Sequence, residues 1–191
     1  MYFTKFDGQE YYSTQEFHND RDAVDHVNDE GHRPRIELAA QWANQLVRAN
    51  PELTIIDYGA GTGGLLSLIE TDNKTGYDFT PANVEFAQNN GRDVFYKDFV
   101  NSEREYSDIA IITECLEHLD DPLGFIKSLE AEWLIMSMPV GETNEAHYEY
   151  HTHGADEEGV KVFMLIHNLW EPIMEQNIWG TQLWLARKFT A

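Results

Sequence analysis

Cysteine, basic residues and long apolar runs are scarce in this sequence of 191 residues. The single cysteine, Cys115, excludes a disulfide framework and is typical of a reducing compartment. No apolar stretch approaches the roughly 20 residues that cross a bilayer, and the first residues lack the apolar segment of a secretion signal. We therefore expect a cytoplasmic protein.

Acidic side chains far outnumber basic ones. Lysine and arginine total 13 against 34 aspartates and glutamates, which gives a formal net charge of −21 at pH 7. A surface this acidic repels phosphate groups, so the composition disfavours nucleic acids and anionic membranes as partners and favours small neutral or cationic molecules. A chain of this length can bury a full core in one domain, and we expect a single domain over residues 1–191.

The most informative feature of the sequence is a cluster of glycines after a short apolar run. Residues 54–64 read Thr-Ile-Ile-Asp-Tyr-Gly-Ala-Gly-Thr-Gly-Gly, with four glycines within six positions. The run predicts a buried strand, and the glycines predict a tight turn whose backbone approaches a ligand, because glycine has no Cβ. Leucines and an isoleucine within residues 65–69 predict a short helix after the turn. This succession favours a nucleotide-like cofactor.

Two cofactor patterns fit these residues. Gly59, Gly61 and Gly64 satisfy the dinucleotide fingerprint, in which a helix N-terminus faces a pyrophosphate. The spacing Asp-x-Gly-x-Gly-x-Gly from Asp57 to Gly63 resembles the first motif of class I S-adenosylmethionine-dependent methyltransferases. The Asp57 carboxylate would repel a pyrophosphate but suits a ligand that carries an ammonium and a sulfonium group. We favour the methyl donor and keep a nicotinamide dinucleotide as the alternative.

Two further predicted strands end in acidic residues. Residues 74–79 form the second strand, which ends at Asp78 and Phe79. In doubly wound folds an acid about twenty residues after the glycine turn accepts hydrogen bonds from ribose hydroxyls. Residues 93–99 form the third strand, which ends at Asp98 and Phe99. In class I methyltransferases this position commonly meets the adenine ring, so the resemblance implies that role for both residues.

The segment after the fourth predicted strand, residues 107–114, makes the resemblance specific. Residues 114–122 read Glu-Cys-Leu-Glu-His-Leu-Asp-Asp-Pro, which is similar to the family pattern E-x-x-E-H-x-x-D-P. A fifth strand follows at residues 133–139, so the resemblance covers about residues 52–142. It implies an α/β, doubly wound, Rossmann-like fold with a mostly parallel sheet, helices on both faces and an antiparallel last strand. It implies S-adenosyl-L-methionine as the cofactor, bound by Asp57, Tyr58, Gly59, Gly61, Asp78, Phe79, Asp98, Phe99, Thr113 and Glu114.

The residues before the first strand are too many for a simple lead-in. Arg33 and Arg35 open a predicted helix that runs to about Arg48, with apolar residues at helical spacing. In similar methyltransferases this region lies across the cofactor as a lid. The resemblance therefore implies that Tyr12, Arg33 or Arg35 lies near the methionine carboxylate, although each could equally be an ordinary surface residue.

Three histidines and two tyrosines lie within residues 147–153, after the fifth strand. Open α/β sheets bind ligands at this end of their strands. The histidines could position an acceptor and remove its proton, bind a divalent metal, or belong to a polar surface loop. The metal alternative pairs His151 with His147 or with His153, but it lacks a recognised ligand signature, and we assign no metal ligand. We assign acceptor contacts to His147, Tyr150, His153 and Tyr12.

A hydroxyl acceptor needs a base, whereas the methyl group is already activated by the sulfonium. We predict His118 or His151 as that base, with a structural role in its turn as the alternative for His118. Glu117 is interpreted as an anchor of the same turn. The predicted function is S-adenosylmethionine-dependent methyl transfer to a small molecule, at oxygen. A nicotinamide-dependent oxidoreductase and a non-catalytic S-adenosylmethionine-binding protein are the alternatives.

The last part of the chain predicts one helix and two strands. Val160, Phe163, Met164, His167 and Trp170 recur at helical spacing, with Asp156 as the cap. A short sixth strand is predicted near residues 176–179 and a closing strand at residues 181–188. The chain would then divide into an N-terminal helical lid (residues 1–50), a cofactor-binding core (52–142) and an acceptor loop with the last helix and strands (143–191).

Overall fold

The computed structural model describes residues 3–156, 158, 160, 161, 164 and 169–189. The strands are β1 (Phe3–Lys5), β2 (Ile55–Tyr58), β3 (Lys74–Asp78), β4 (Val94–Tyr96), β5 (Ser107–Thr113), β6 (Ala131–Pro139), β7 (His153–Ala155), β8 (Trp170–Ile178) and β9 (Thr181–Lys188). The α-helices are α1 (Gln15–Asn19), α2 (Arg33–Ala49), α3 (Pro81–Asn89) and α4 (Pro122–Ser128).

Seven strands form one sheet in the order β4-β3-β2-β5-β6-β9-β8. Strands β2 to β6 pair in parallel, and β9 lies antiparallel between β6 and β8. This confirms the predicted doubly wound, mostly parallel sheet with an antiparallel last strand. The chain reverses its direction of strand addition between β2 and β5, which is the topological switch point where such sheets bind ligands.

The sheet is covered on both faces, as parallel strands require. On one face α2 and α3 pack over strand residues such as Ile109 and Ile135. The predicted apolar stripe of α2 contributes Ala39, Ala43 and Val47 to this layer. On the other face α4 and the turn after β5 pack over the sheet in a second buried cluster.

A second sheet of two strands joins the N-terminal segment to the loop that contains the three histidines. Strand β1 pairs antiparallel with β7, and Phe3 lies opposite Ala155. The backbone N–H of Phe6 then donates to the carbonyl of Thr152 (2.9 Å). The N-terminal segment is therefore attached to the histidine-rich loop by backbone hydrogen bonds.

Some predicted boundaries were wrong. The short helix predicted after the glycines is a 3-10 turn of three residues, Leu66–Leu68. Strand β8 begins at Trp170, so this residue does not belong to the last helix and the sixth strand is longer than predicted. Because β8 is an edge strand with mostly exposed side chains, its sequence carries no clear apolar alternation.

The predicted last helix lies only partly within the described residues. Val160 and Met164 are helical and buried, whereas Phe163 and His167 lie outside the described part of the chain. Asp156 is placed as predicted, since its carboxylate accepts the backbone N–H of Glu158 (3.0 Å). In the part of the chain that the structure describes, no helix is long and apolar enough to cross a membrane.

Candidate functional site

The carboxyl ends of the central strands open into a cavity of about 440 Å³. We call its two regions the glycine end and the histidine end. The glycine end is lined by Asp57, Gly59, Gly61, Asp78 and Phe79. The histidine end is lined by Glu117, His118 and His151. A single volume thus connects the glycine turn after β2 with the segment after β5 and the loop before β7.

The glycine turn has the backbone geometry that the sequence pattern predicts. Gly59 and Gly61 have positive φ angles of +74° and +55°, a region that residues with a Cβ rarely adopt. A Cβ on Gly59 would lie 2.5 Å from the Sγ of Cys115. Cys115 is therefore a packing residue beneath the turn, and burial raises the pKa of its thiol. In contrast, a Cβ on Gly61 would meet no protein atom within 4 Å.

Two buried carboxyl groups lie beside this turn. Asp78 accepts the backbone N–H of Gly61 (2.8 Å) and that of Thr80 (2.8 Å). Asp57 is 1 % exposed, and its Oδ1 has no hydrogen-bond partner among the described residues. Burial, together with the charge of Asp78, raises the pKa of Asp57 to about 8. An unpaired buried carboxyl group is costly unless a ligand supplies a positive group or a hydrogen-bond donor.

The N-terminal segment supplies a wall of the cavity through residues to which the sequence assigned no role. His18, Arg21 and His26 line it, although no motif marks them. Burial, then the charge of Arg21, lowers the pKa of His18 to about 4. Asp25 fastens the segment to the glycine turn, because its carboxylate accepts the hydroxyl of Thr62 (2.7 Å). This contact joins residues far apart in the sequence, so local patterns could not have found it.

Of the residues predicted near the methionine carboxylate, only Arg35 lines the cavity. Its guanidinium lies 3.4 Å from Glu114 and donates to the hydroxyl of Thr181 (2.8 Å). Arg33 instead pairs with Glu37 on the exposed side of α2 (2.7 Å). Tyr12 packs edge-on against Phe17, away from the cavity lining.

The histidine end consists of two rings that are held by oxygen atoms. Nδ1 of His118 donates to the carbonyl of Tyr150 (2.9 Å), because a carbonyl oxygen can only accept. Nδ1 of His151 lies 2.7 Å from Oε2 of Glu142. The two ring centroids are 5.0 Å apart. With Nδ1 engaged as a donor, a neutral imidazole carries its free lone pair on Nε2.

The charges at the histidine end are shaped by burial. Burial, and then the charge of His151, lowers the pKa of His118 to about 3, so this ring is neutral at physiological pH. Desolvation acts to raise the pKa of Glu142, but hydrogen bonds from His151 and from the Tyr148 backbone hold it below its ordinary value. Burial, and then the charge of Glu114, raises the pKa of Glu117 well above its ordinary value.

Apart from Arg35, the cavity gathers nine of the sixteen residues to which the sequence assigned a cofactor contact, an acceptor contact or the role of base. They are Asp57, Gly59, Gly61, Asp78, Phe79, Thr113, Glu114, His118 and His151. Glu114 has a positive φ of 49°, which is rare for a residue other than glycine. Strained backbone of this kind is concentrated at functional sites.

Seven predicted residues lie outside the cavity lining. Tyr58 and Phe99 belong to the buried cluster beneath it. Asp98 accepts the backbone N–H of Asn101 in its own turn (3.1 Å). The other four are Tyr12, His147, Tyr150 and His153. The cavity lining therefore does not support the cofactor and acceptor contacts predicted for these seven residues.

The outlying aromatic and histidine residues have contacts of their own outside the cavity lining. The His147 ring stacks on Phe6 with centroids 4.1 Å apart. Tyr150 packs against Tyr12 at 5.2 Å between ring centroids. His153 is buried next to the hydroxyl of Thr152. Tyr150 still acts on the site through its carbonyl, which orients His118.

A comparison with protein families assigns most of the chain. The methyltransferase-domain family matches residues 31–150, which is more than half of the chain and includes α2, the glycine turn and His118. No curated protein matches the sequence. The matched range leaves out the first thirty residues that supply the wall with His18, Arg21 and His26.

Solved structures share the fold at low sequence identity. Magnesium protoporphyrin IX methyltransferase from Synechocystis PCC 6803 with bound SAM is 17 % identical, has a TM-score of 0.66 and covers 95 % of each chain. A possible histamine N-methyltransferase from Thermotoga maritima is 17 % identical, with a TM-score of 0.55, and covers 86 % of this chain and 98 % of that one. A 16S rRNA methyltransferase in complex with S-adenosyl-L-homocysteine is 15 % identical and has a TM-score of 0.57. The match covers 83 % of this chain and 65 % of that one.

Proposed function

The chain belongs to the methyltransferase-domain family and is an S-adenosylmethionine-dependent methyltransferase, and we propose that it methylates a small molecule at oxygen. The observation that carries this proposal is the single cavity, in which a glycine turn with two buried carboxyl groups is continuous with two oriented histidines. One end suits the donor, and the other can accept a proton or a hydrogen bond from an acceptor hydroxyl.

The residues at the glycine end fit the donor. S-adenosylmethionine supplies an electrophilic methyl group on a sulfonium and carries an ammonium group as well. Asp57 offers a buried, unpaired carboxyl oxygen to these positive groups. Asp78 lines the cavity and has the acceptor lone pairs that ribose hydroxyls need. Gly61 leaves open space where any larger residue would place a side chain.

The same end does not suit a dinucleotide. A pyrophosphate site of the Rossmann type uses the N-terminus of an α-helix directly after the glycines. Here that segment is the 3-10 turn Leu66–Leu68, which has too few residues for an appreciable helix dipole. Asp78, whose carboxylate already accepts the backbone N–H of Gly61, would also repel two phosphate charges. These features support the methyl donor over the nicotinamide alternative.

Replacing Gly61 by alanine should weaken donor binding while the fold remains intact. The added Cβ contacts no protein atom and would occupy space in the cavity, so we expect the affinity for S-adenosylmethionine to fall at least about 10-fold, as for an overfilled site. Gly91→Ala is the matched control, because Gly91 also has a positive φ (68°) and open surroundings but lies outside the cavity lining. Calorimetry with the donor compares them, and equal affinities would contradict the placement.

The histidine end supports oxygen as the methylated atom. Both rings are fixed by acceptor oxygens on Nδ1, so their free lone pairs can interact with a hydroxyl hydrogen. A hydroxyl must lose its proton during the reaction, whereas an amine need only be neutral before it. The rings lie in the same cavity as the donor end, which keeps the acceptor oxygen and the donor within one desolvated volume.

Two observations support a small acceptor. The cavity of about 440 Å³ must hold the donor as well as the acceptor, and a site for one small ligand alone usually has roughly 300–1,000 Å³, so little room remains for the acceptor. The net charge of −21 also opposes association with a nucleic acid. The solved relatives act on a metalloporphyrin, on rRNA and possibly on histamine according to their names, so the fold by itself does not select the acceptor.

The proposal is tested with donor that is isotopically labelled in its methyl group. The full chain is incubated with this donor and with separate sets of phenols, hydroxy acids, amines, RNA and peptides. We expect label in small hydroxylated compounds as methyl ethers or esters. Label in RNA alone or in amines alone would overturn the acceptor assignment, and tight donor binding without any transfer would indicate a non-catalytic protein.

A further inference from the structure

We propose that Glu117, His118 and His151 bind one divalent transition-metal ion at the histidine end of the cavity. A carboxylate oxygen of Glu117 and one ring nitrogen of each histidine lie within 4.8 Å of one another. All three side chains line the same cavity. The set combines two imidazoles and one carboxylate, which is a ligand set that binds Zn²⁺, Mn²⁺, Fe²⁺ or Co²⁺.

One carboxyl oxygen of Glu117 is buried without a hydrogen-bond partner among the described residues. The residue is 1 % exposed, and none of the described groups forms a hydrogen bond with its Oε2. The guanidinium of Arg35 pairs with Glu114 instead. A buried carboxyl oxygen without a partner costs folding free energy, and a bound cation would supply the missing positive charge.

The two histidines already have the outer partners that metal-binding histidines use. Metal-ligating imidazoles commonly donate their second nitrogen to a carbonyl or carboxylate, which fixes the tautomer and the ring orientation. Nδ1 of His118 donates to the carbonyl of Tyr150 (2.9 Å), and Nδ1 of His151 is 2.7 Å from the Glu142 carboxylate. Both arrangements leave the lone pair of Nε2 for an ion.

The two parts of the site are held together by hydrogen bonds from Thr152 to the backbone of Glu117. The backbone N–H of Thr152 donates to the carbonyl of Glu117 (2.7 Å), and the Thr152 hydroxyl donates to the same carbonyl (2.8 Å). His118 follows Glu117 and His151 precedes Thr152, so these contacts fix the two histidines next to each other. Such preorganisation reduces the entropy that ion binding would otherwise cost.

The ion would have a defined part in the reaction, and only this part of the inference rests on the proposed function. Three protein ligands leave a coordination position open, as in catalytic sites. The two Nε2 lone pairs would then bind the ion in place of a hydroxyl hydrogen, and an acceptor hydroxyl in the open position would lose its proton to solvent at a lower pKa. Its oxygen then bonds to the methyl carbon, the carbon–sulfur bond breaks, and S-adenosylhomocysteine leaves with the electron pair.

The test measures ion binding without donor or acceptor. The metal-free full chain is titrated with Co²⁺ and followed by visible absorption, and Zn²⁺ is added in competition and followed by calorimetry. We expect one ion per chain. Glu117→Gln, which keeps the shape of the side chain, should weaken binding by about 100-fold or more, and Glu142→Gln by about 10- to 100-fold, as for outer partners of ligating histidines.

Matched variants make the test specific. His147→Gln alters a histidine of the same loop that lies outside the cavity lining, and this variant should bind the ion as the wild type does. If Glu117→Gln does not fold, His151→Gln replaces it, and this variant should also bind the ion about 100-fold or more weakly than the wild type. The inference is overturned if the wild type binds no ion, or if the Glu117 and His151 variants bind the ion with the affinity of the wild type.

The two proposals fail separately in this design. Donor calorimetry on the same variants should still detect binding of S-adenosylmethionine, because none of these variants alters Asp57, Asp78 or the glycine turn. If the wild type methylates a hydroxyl but binds no ion in the titration, the metal site is overturned and the proposed function stands. If it binds the ion but transfers the methyl group only to RNA, the proposed function is overturned and the metal site stands.

Discussion

The variant Asp78→Asn should lose at least about 100-fold in affinity for S-adenosylmethionine. Asp78 accepts two backbone N–H groups, from Gly61 and Thr80, while it faces the cavity. An asparagine amide can present only one oxygen, so one backbone donor would face an NH₂ group. The glycine turn would lose an anchor and the ribose hydroxyls would lose a charged acceptor, each worth about 1–3 kcal/mol.

A ribose analogue separates these two effects. Calorimetry is run on the wild type and on Asp78→Asn with S-adenosylhomocysteine and with an analogue whose ribose lacks both hydroxyls. If Asp78 binds the ribose, the analogue should lose much less affinity in the variant than the complete nucleoside does. Equal losses for both ligands would assign Asp78 to the turn alone. Asn83→Ala serves as the control, because it removes only a long contact to Asp78 (3.4 Å).

The variant Asp57→Asn should bind the donor about 10- to 100-fold more weakly and should nevertheless be more stable than the wild type at pH 8 in the absence of donor. The loss of affinity follows from one charge-assisted contact of about 1.5–3 kcal/mol with a positive group of the donor. The gain in stability follows because the free protein buries this carboxyl group without a partner for its Oδ1 among the described residues.

The sign of the pH dependence follows from the pKa of Asp57, which burial raises from 3.8 to about 8. Between these values the unfolded chain has released the proton and the folded chain still binds it, so the wild type loses stability as the pH rises through this window. The asparagine variant does not contain that group. The difference in melting temperature between variant and wild type should therefore grow from pH 4 to pH 8.

Thermal unfolding at several pH values, with and without donor, checks this prediction. Donor should raise the melting temperature of the wild type more than that of the variant, because tighter binding to the folded state gives greater stabilisation. A difference that is constant over pH 4 to 8 would contradict the raised pKa. Unchanged donor affinity would place the positive groups of the donor away from Asp57.

The parts of the fold that the sequence predicted are those with local signals. A buried apolar run that ends in an acid or in glycines marks a parallel strand and its carboxyl end, which is why β2, β3, β5 and β6 lie close to their predicted positions. The edge strand β8 carries no such signal, since most of its side chains are exposed. Its extent was decided by pairing with β9.

The site divides in the same way. The sequence determined the glycine turn, the acids Asp57 and Asp78, and the methyl donor, because these depend on neighbouring residues and on backbone conformations that only glycine adopts readily. Only the tertiary structure decided which histidine is beside His118 and that Asp98 accepts the backbone N–H of Asn101. Contacts such as those of His151 with Glu142 and of Asp25 with Thr62 depend on how distant segments pack, and no spacing within a single segment encodes that arrangement.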